Sequence, residues 1–192
     1  MQDSVTCFPV GFEKILAATK KTEFDQTSDP MPGSLLSTLC ASKSNGCFLE
    51  LGTGSGLSTA WLLHGMDASS SLTSIDNDDK LVSIAKIYLG DDPRVSFIVG
   101  TGEELVLNTP ANSIYLIFAD TWPGKYNHLQ ETLILLKVGG IYLIDDMLPQ
   151  DNWPEGHADK AAHLIQYLES RDDFSLTKMA WSMGIVICTK KY

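Results

Sequence analysis

Basic side chains are scarce in this 192-residue chain: 14 Lys and Arg stand against 24 Asp and Glu, a formal net charge of −10 at pH 7. Nucleic-acid binders normally carry a basic face, because neutralising phosphates drives their affinity. The few cations here are scattered, with Lys20 and Lys21 near one end and Lys190 and Lys191 at the other, which argues against DNA or RNA as a partner. A long apolar run is also missing. The longest, 114–119 and 141–144, have the length of strands and fall far short of the roughly 20 residues that a membrane span needs. The first residues lack the basic-then-apolar build of a secretion signal. Cys7, Cys40, Cys47 and Cys188 contain no Cys-x-x-Cys pair. Two of them lie in apolar strand patterns, so small core residues are expected rather than ligands or disulfides. These absences together point to a reducing cytoplasm, with neither membrane nor nucleic acid as a partner. The length suits one domain that buries a core without staples, and the 44% hydrophobic fraction is ordinary for such a chain.

Residues 47–58, Cys-Phe-Leu-Glu-Leu-Gly-Thr-Gly-Ser-Gly-Leu-Ser, carry the most information. An apolar run closes on Glu50, then Gly52, Gly54 and Gly56 alternate, and a helical pattern opens on Leu57. A strand turning into a helix through glycines places bare backbone N–H groups where a ligand can lie. About twenty residues on, a second strand pattern ends in Asp76, a carboxylate placed to grip the two hydroxyls of a ribose. The chain therefore advertises a nucleoside cofactor. A dinucleotide fingerprint puts its third glycine one residue later than Gly56, where Leu57 stands. Glu50 would also face a pyrophosphate as a like charge. It suits a cofactor with a cationic amino-acid end.

Strand and helix patterns alternate after residue 46, which implies a mostly parallel sheet covered on both faces. Strands are expected near 47–51, 71–76, 94–99, 114–119, 139–145, 174–180 and 183–189. Helices are expected near 56–65, 78–89, 102–107, 125–136 and 158–170. Residues 90–93, 108–110 and the pair Gly139 and Gly140 read as linkers. Only two or three residues join the last two strands, so these form an antiparallel hairpin. Residues 1–45 read as separate helices near 10–21 and 33–41, a helical N-terminal cap on a single domain.

Ligands of open α/β sheets bind at the carboxyl ends of strands. One strand ends in Asp120-Thr-Trp122-Pro123-Gly-Lys125-Tyr126 and another in Asp145-Asp146-Met-Leu148; a third end leads into Thr101-Gly102-Glu103. Neighbouring carboxylates repel one another unless a cation sits between them. Asp120, Asp145 and Asp146 are three hard oxygen donors of the kind that suits Mg²⁺. Solvated strand ends or helix caps are the alternative.

The pattern Glu50-Leu-Gly52-Thr53-Gly54-Ser-Gly56 resembles motif I of class I S-adenosylmethionine-dependent methyltransferases, and Asp76 resembles their ribose-binding acid. Residues 46–189 resemble the catechol and caffeoyl-coenzyme A O-methyltransferases: Asp120 is followed six residues later by Tyr126, and 139–148 matches Gly-Gly-x-x-x-x-Asp-Asn-x-Leu. The resemblance implies a Rossmann-like three-layer α/β sandwich, with a seven-stranded, mostly parallel sheet and an antiparallel last strand. It implies S-adenosylmethionine as cofactor, held by Glu50, Gly52, Thr53, Gly54, Ser58, Asp76, Asn77, Gly102, Glu103 and Asp120. It further implies Mg²⁺ or another divalent cation on Asp120, Asp145 and Asp146, a small-molecule hydroxyl as acceptor, and a homodimer. Two departures stand out. Pro123 occupies the place of the family's basic lysine and cannot take a proton, which leaves Lys125 or Asp120 as candidate base. Asp146 replaces an Asn and adds a negative charge. A metal-independent methyltransferase and a non-catalytic cofactor-binding protein are the alternatives. His157 is expected in solvent at a helix start, Trp153 on a substrate lid over 151–157, and Trp61, Trp181, Tyr88, Tyr142 and Tyr167 in the core.

Overall fold

The computed structural model describes residues 3–24, 26–151 and 153–192. Seven strands form one sheet in an α/β, Rossmann-like arrangement. They are β1 (Cys47–Leu51), β2 (Ser71–Asp76), β3 (Val95–Val99), β4 (Ile114–Ala119), β5 (Leu136–Ile144), β6 (Phe174–Met179) and β7 (Ile185–Lys190). Their order is β3-β2-β1-β4-β5-β7-β6. The pairs β1–β2, β2–β3 and β4–β5 are parallel, whereas β7 runs antiparallel to both β5 and β6. The antiparallel last strand is as the hairpin argument requires. Among the described residues no helix is long and apolar enough to cross a membrane.

The chain divides into two compact units, Met1–Gly102 and Glu103–Tyr192. In the first, α1 (Phe12–Thr19) and α2 (Pro30–Ala41) precede β1, and α3 (Leu57–Gly65) and α4 (Asp79–Leu89) follow β1 and β2. Residues 57–63 of α3 are all buried, because α2 lies hard against it. A Cβ on Gly33 would stand 2.2 Å from the Trp61 ring, and one on Gly65 would stand 1.9 Å from the Ser37 carbonyl. Helix α2 begins at Pro30, three residues before the position its pattern suggested. Asp29 accepts the Met31 N–H at 2.8 Å as N-cap, and proline at the first helical position loses no hydrogen bond. Trp61 is 2% exposed, as expected of a core residue, whereas Tyr88 on α4 is 39% exposed.

In the second unit, α5 (Gly102–Asn108) leads to β4, and α6 (Leu129–Ile134) and α7 (His157–Glu169) flank β5 and the 145–156 segment. The core is built on Leu116, Ile117, Phe118, Tyr142, Leu143 and Ile144. Gly139 and Gly140 lie inside β5 rather than ahead of it. The β4–β5 register steps from Ile114↔Leu136 to Leu116↔Ile141, and Gly139, at φ +75°, supplies the left-handed residue that lets the bulged strand resume pairing. Cys40 and Cys188 are buried, but Cys7 and Cys47 are exposed. The core reading of the cysteines therefore holds for two of the four.

Candidate active site

In the first unit the glycine turn joins the end of β1 to α3. Its N–H groups are less bare than the sequence suggested. Gly52 and Thr53 N–H donate to the Ile75 carbonyl at 2.9 and 3.1 Å, and Gly56 N–H donates to the Thr53 carbonyl at 2.9 Å. Gly54 N–H donates to Asp76 Oδ2 at 2.8 Å. The parallel pairing of β1 with β2 causes this, because it sets both strand ends side by side. Gly56 is the left-handed N-cap of α3, at φ +94°. A Cβ there would stand 2.8 Å from the Ala85 Cβ, so its role is to let α4 approach the turn.

Glu50 is fully buried. Its Oε2 accepts the hydroxyls of Thr59 and Ser74, each at 2.5 Å. Thr53 spends its own hydroxyl on Ser74 at 2.6 Å. Ser58, also buried, lies where its hydroxyl favours the charged carboxylate, but Glu50 Oε1 has no hydrogen-bond partner among the described residues. Burial pushes the Glu50 pKa up to about 7 against the pull of these hydroxyls, and the nearby Asp76 charge adds to the rise. A buried carboxylate oxygen without a donor is costly. A hydrogen-bond donor is what that oxygen lacks.

Asp76 ends β2 half-buried, with Oδ1 accepting the Asp78 N–H at 3.0 Å as well. A carboxylate offers about four acceptor sites, so room remains for ribose hydroxyls beside its two backbone donors. Asn77 is exposed next to it, and Gly102 at the start of α5 is buried. The end of α1 and the segment after it also reach this turn: Thr19 Oγ1 donates to Ser55 Oγ at 2.7 Å, and the Phe24 ring lies 3.6 Å from where a Gly54 Cβ would stand.

In the second unit Asp120 follows β4, and Asp145 and Asp146 follow β5. Asp146 sits at φ +58°, a left-handed position that Asn and Asp tolerate best. A carboxylate in place of the carboxamide that the resemblance leads one to expect therefore keeps the backbone while changing the charge. Asp145 Oδ1 turns back to accept the Asp146 N–H at 2.8 Å, and Asp146 Oδ2 accepts the Trp153 indole N–H at 3.3 Å. Among the described residues no group of three or more His, Cys, Asp or Glu side chains is arranged to hold a metal ion.

Lys125 departs most from the sequence reading. The expected helix from 125 begins only at Leu129. Residues 122–127 instead fold on themselves: Lys125, Tyr126 and Asn127 N–H all donate to the Trp122 carbonyl, at 3.1, 2.8 and 3.1 Å. The Tyr142 hydroxyl donates to the Gly124 carbonyl at 2.5 Å. This turns the Lys125 side chain inward, where it is 4% exposed and its Nζ donates to the Asp145 carbonyl at 2.7 Å. Burial lowers its pKa, while the charges of Asp120, Asp146 and Asp145 pull it back up.

An aromatic group missed by the sequence reading surrounds His157, which is 8% exposed rather than solvated. Its Nε2 lies 3.1 Å from the Tyr126 hydroxyl, and its ring is 4.3 Å from that of Trp153 and 6.1 Å from that of Trp122. Burial lowers the His157 pKa, and the Lys125 charge adds to the effect; burial lifts that of Tyr126 to about 12. Only long-range packing joins residues 31 apart, so no local spacing signals the pair. Lys125, Tyr126, Lys160 and His163 are among the residues lining a cavity of about 310 Å³.

Residues 49–147 match the family described as "Methyltransferase domain". A protein of Mycolicibacterium paratuberculosis named "Putative O-methyltransferase" is 31% identical over 140 residues, covering 69% of this chain and 63% of its own length. The chain spans between 54% and 64% of the length of the first curated relatives it matches. Among solved structures, the O-methyltransferase of Bacillus cereus in complex with SAH superposes with a TM-score of 0.84 at 17% identity, covering 98% of this chain and 94% of that one. The O-methyltransferase TomG of Streptomyces achromogenes, in complex with SAM, gives 0.82 at 18% identity, covering 100% and 92%. At these identities the structural likeness establishes the fold.

Proposed function

The chain belongs to the methyltransferase-domain family, and on that footing we propose that it transfers the methyl group of S-adenosylmethionine to a hydroxyl oxygen of a small molecule. The observation that carries this reading is the buried, donor-less Oε1 of Glu50 beside the glycine turn. Buried carboxylate oxygens are normally satisfied, and the cofactor's ammonium is the missing donor. Asp76 holds the ribose hydroxyls, with Asn77, Gly102 and Glu103 on the nucleoside side. Gly52 and Gly54 carry the turn. Thr53 and Ser58 act through Glu50 and Ser74 rather than on the ligand.

When bound, the cofactor supplies an electrophilic sulfonium methyl. A hydroxyl oxygen attacks it well only as its proton leaves. Asp120 would take that proton, leaving the oxygen able to accept the methyl group that the cofactor would supply. Lys125 serves here as a positive charge. Its Nζ donates to the Asp145 carbonyl, and the charges of Asp120, Asp146 and Asp145 favour its protonated form, which has no lone pair with which to act as a base.

Calorimetric titration of S-adenosylhomocysteine, followed by transfer of labelled methyl from the cofactor to catechol and a panel of other hydroxyl compounds, tests the reading. Micromolar binding that weakens at least about tenfold in Glu50→Ala supports it, a loss equivalent to about 1.4 kcal/mol. No binding, or binding indifferent to that change, overturns it.

A further inference from the structure

The cavity of about 310 Å³ in the second unit is lined by Lys125, Lys160 and His163 together with Tyr126, Leu129 and Leu164, and none of its lining residues is acidic. Such a wall is unexpected in a chain with 14 Lys and Arg and a net charge of −10. The pattern along α7 brings it about. His163 and Leu164 stand three and four residues after Lys160, which puts all three on one face of the helix. The folded-back 122–127 segment adds Lys125 and Tyr126 to the same cavity.

Among the described residues neither lysine is in an ion pair. Lys125 is 4% exposed, and its Nζ donates to a backbone carbonyl, that of Asp145. Lysine normally keeps its ammonium in water, so a buried one in a cavity wall points to something that enters. The Lys160 Nζ lies 3.9 Å from the centre of the Trp122 ring, which meets the Tyr126 ring edge to face at 5.8 Å. An aromatic face holds an ammonium in place while leaving its charge intact. An ammonium offers three donors and no acceptor, and donors of this kind bond most strongly to anionic oxygens.

Resting on the methyltransferase reading, we infer that this cavity takes the carboxylate or phosphate group of an anionic hydroxyl acceptor. Lys125, Lys160 and His163 meet the charge, and Leu129, Leu164 and the Tyr126 ring meet the apolar part beside it. The volume lies at the small end of the roughly 300–1,000 Å³ of small-molecule sites, which suits a single ring with one charged substituent.

Benzoate, phenyl phosphate and uncharged benzamide, titrated by NMR into the intact protein with and without saturating S-adenosylhomocysteine, test the inference. At least one of the two anions is expected to bind at least tenfold more tightly than benzamide, and which one does so tells carboxylate from phosphate. Lys160→Gln, at an exposed position, is expected to reduce that preference at least fivefold. Benzamide bound as tightly as both anions overturns the inference. A preference for anions that Lys160→Gln leaves intact overturns it as well, because the anion then sits elsewhere. In the labelled-methyl assay, faster transfer to uncharged hydroxyl compounds than to their carboxylate and phosphate counterparts overturns the assignment of the charge to the acceptor. Failure of the wild type to bind S-adenosylhomocysteine tells against the methyltransferase reading alone, and the titrations made without it still decide the cavity.

Discussion

The carboxylate of Asp76 holds the N–H of Gly54 at 2.8 Å, so the residue expected to bind ribose also sets the shape of the turn that would lie against the cofactor. Asp76→Ala is therefore expected to cost twice. Cofactor affinity should fall at least about tenfold, and the unliganded protein should lose about 1–3 kcal/mol because a partly buried N–H loses its acceptor. Calorimetry with S-adenosylhomocysteine and urea unfolding measure the two effects. A change in affinity with unaltered stability would mean that the hydrogen bond contributes nothing to the empty protein.

Glu50 predicts an unusual pH dependence. Its folded pKa, about 7, lies above its ordinary value of 4.5, so the folded state binds the proton more tightly than the unfolded state does. The stability from this group is fully present below about pH 4.5 and is lost as the pH rises through 7, by at most about 3 kcal/mol. Unfolding curves between pH 5 and pH 8 should show that decline, and Glu50→Gln should flatten it. Saturating S-adenosylmethionine should oppose it, by supplying an ammonium to the ionised form.

Gly56 and Gly139 form a matched pair. Both are left-handed, but a Cβ on Gly56 would meet Ala85 at 2.8 Å, whereas one on Gly139 would meet nothing within 4 Å. Gly139→Ala should cost only the conformational strain, about 1–2 kcal/mol. Gly56→Ala adds overpacking of about 1–3 kcal/mol and should be the more damaging by thermal unfolding. Equal losses would show that α4 gives way freely.

His157 is expected to titrate below its ordinary 6.5, because burial and then the Lys125 charge disfavour its protonated form. Its contribution to stability is present above 6.5 and is lost as the pH falls through the lowered folded value. Imidazole NMR across pH 4–8 reads the midpoint directly, and Lys125→Met should move it upward. A midpoint at or above 6.5 in the wild type would contradict the buried ring packing.

The glycine turn and the strand ends beside it were legible because their signals are local: Glu50, three glycines and Asp76 mark the ends of β1 and β2, and parallel pairing sets those ends side by side. The acid half was legible only as a set of residue types. Nothing in residues 122–127 announces that Tyr142 in β5, 18 positions beyond Gly124, closes the turn by a hydrogen bond to the Gly124 carbonyl, so Lys125 read as a helical surface residue. His157 was misread for the same reason, since the rings around it come from 122, 126 and 153. Local cues were also passed over. The Asp29-Pro30 step is a helix start in its own right, and Gly139 could be a bulge as readily as a linker.

Thr19 and Ser55 are buried, 36 residues apart, and joined hydroxyl to hydroxyl at 2.7 Å. A fragment that begins at β1 would strip the turn of that partner and leave the Ser55 hydroxyl to find another in a shell it cannot easily reopen. The stretch that matches the family begins at residue 49, yet the smallest piece able to keep its glycine turn in shape has to reach back through the last turn of α1.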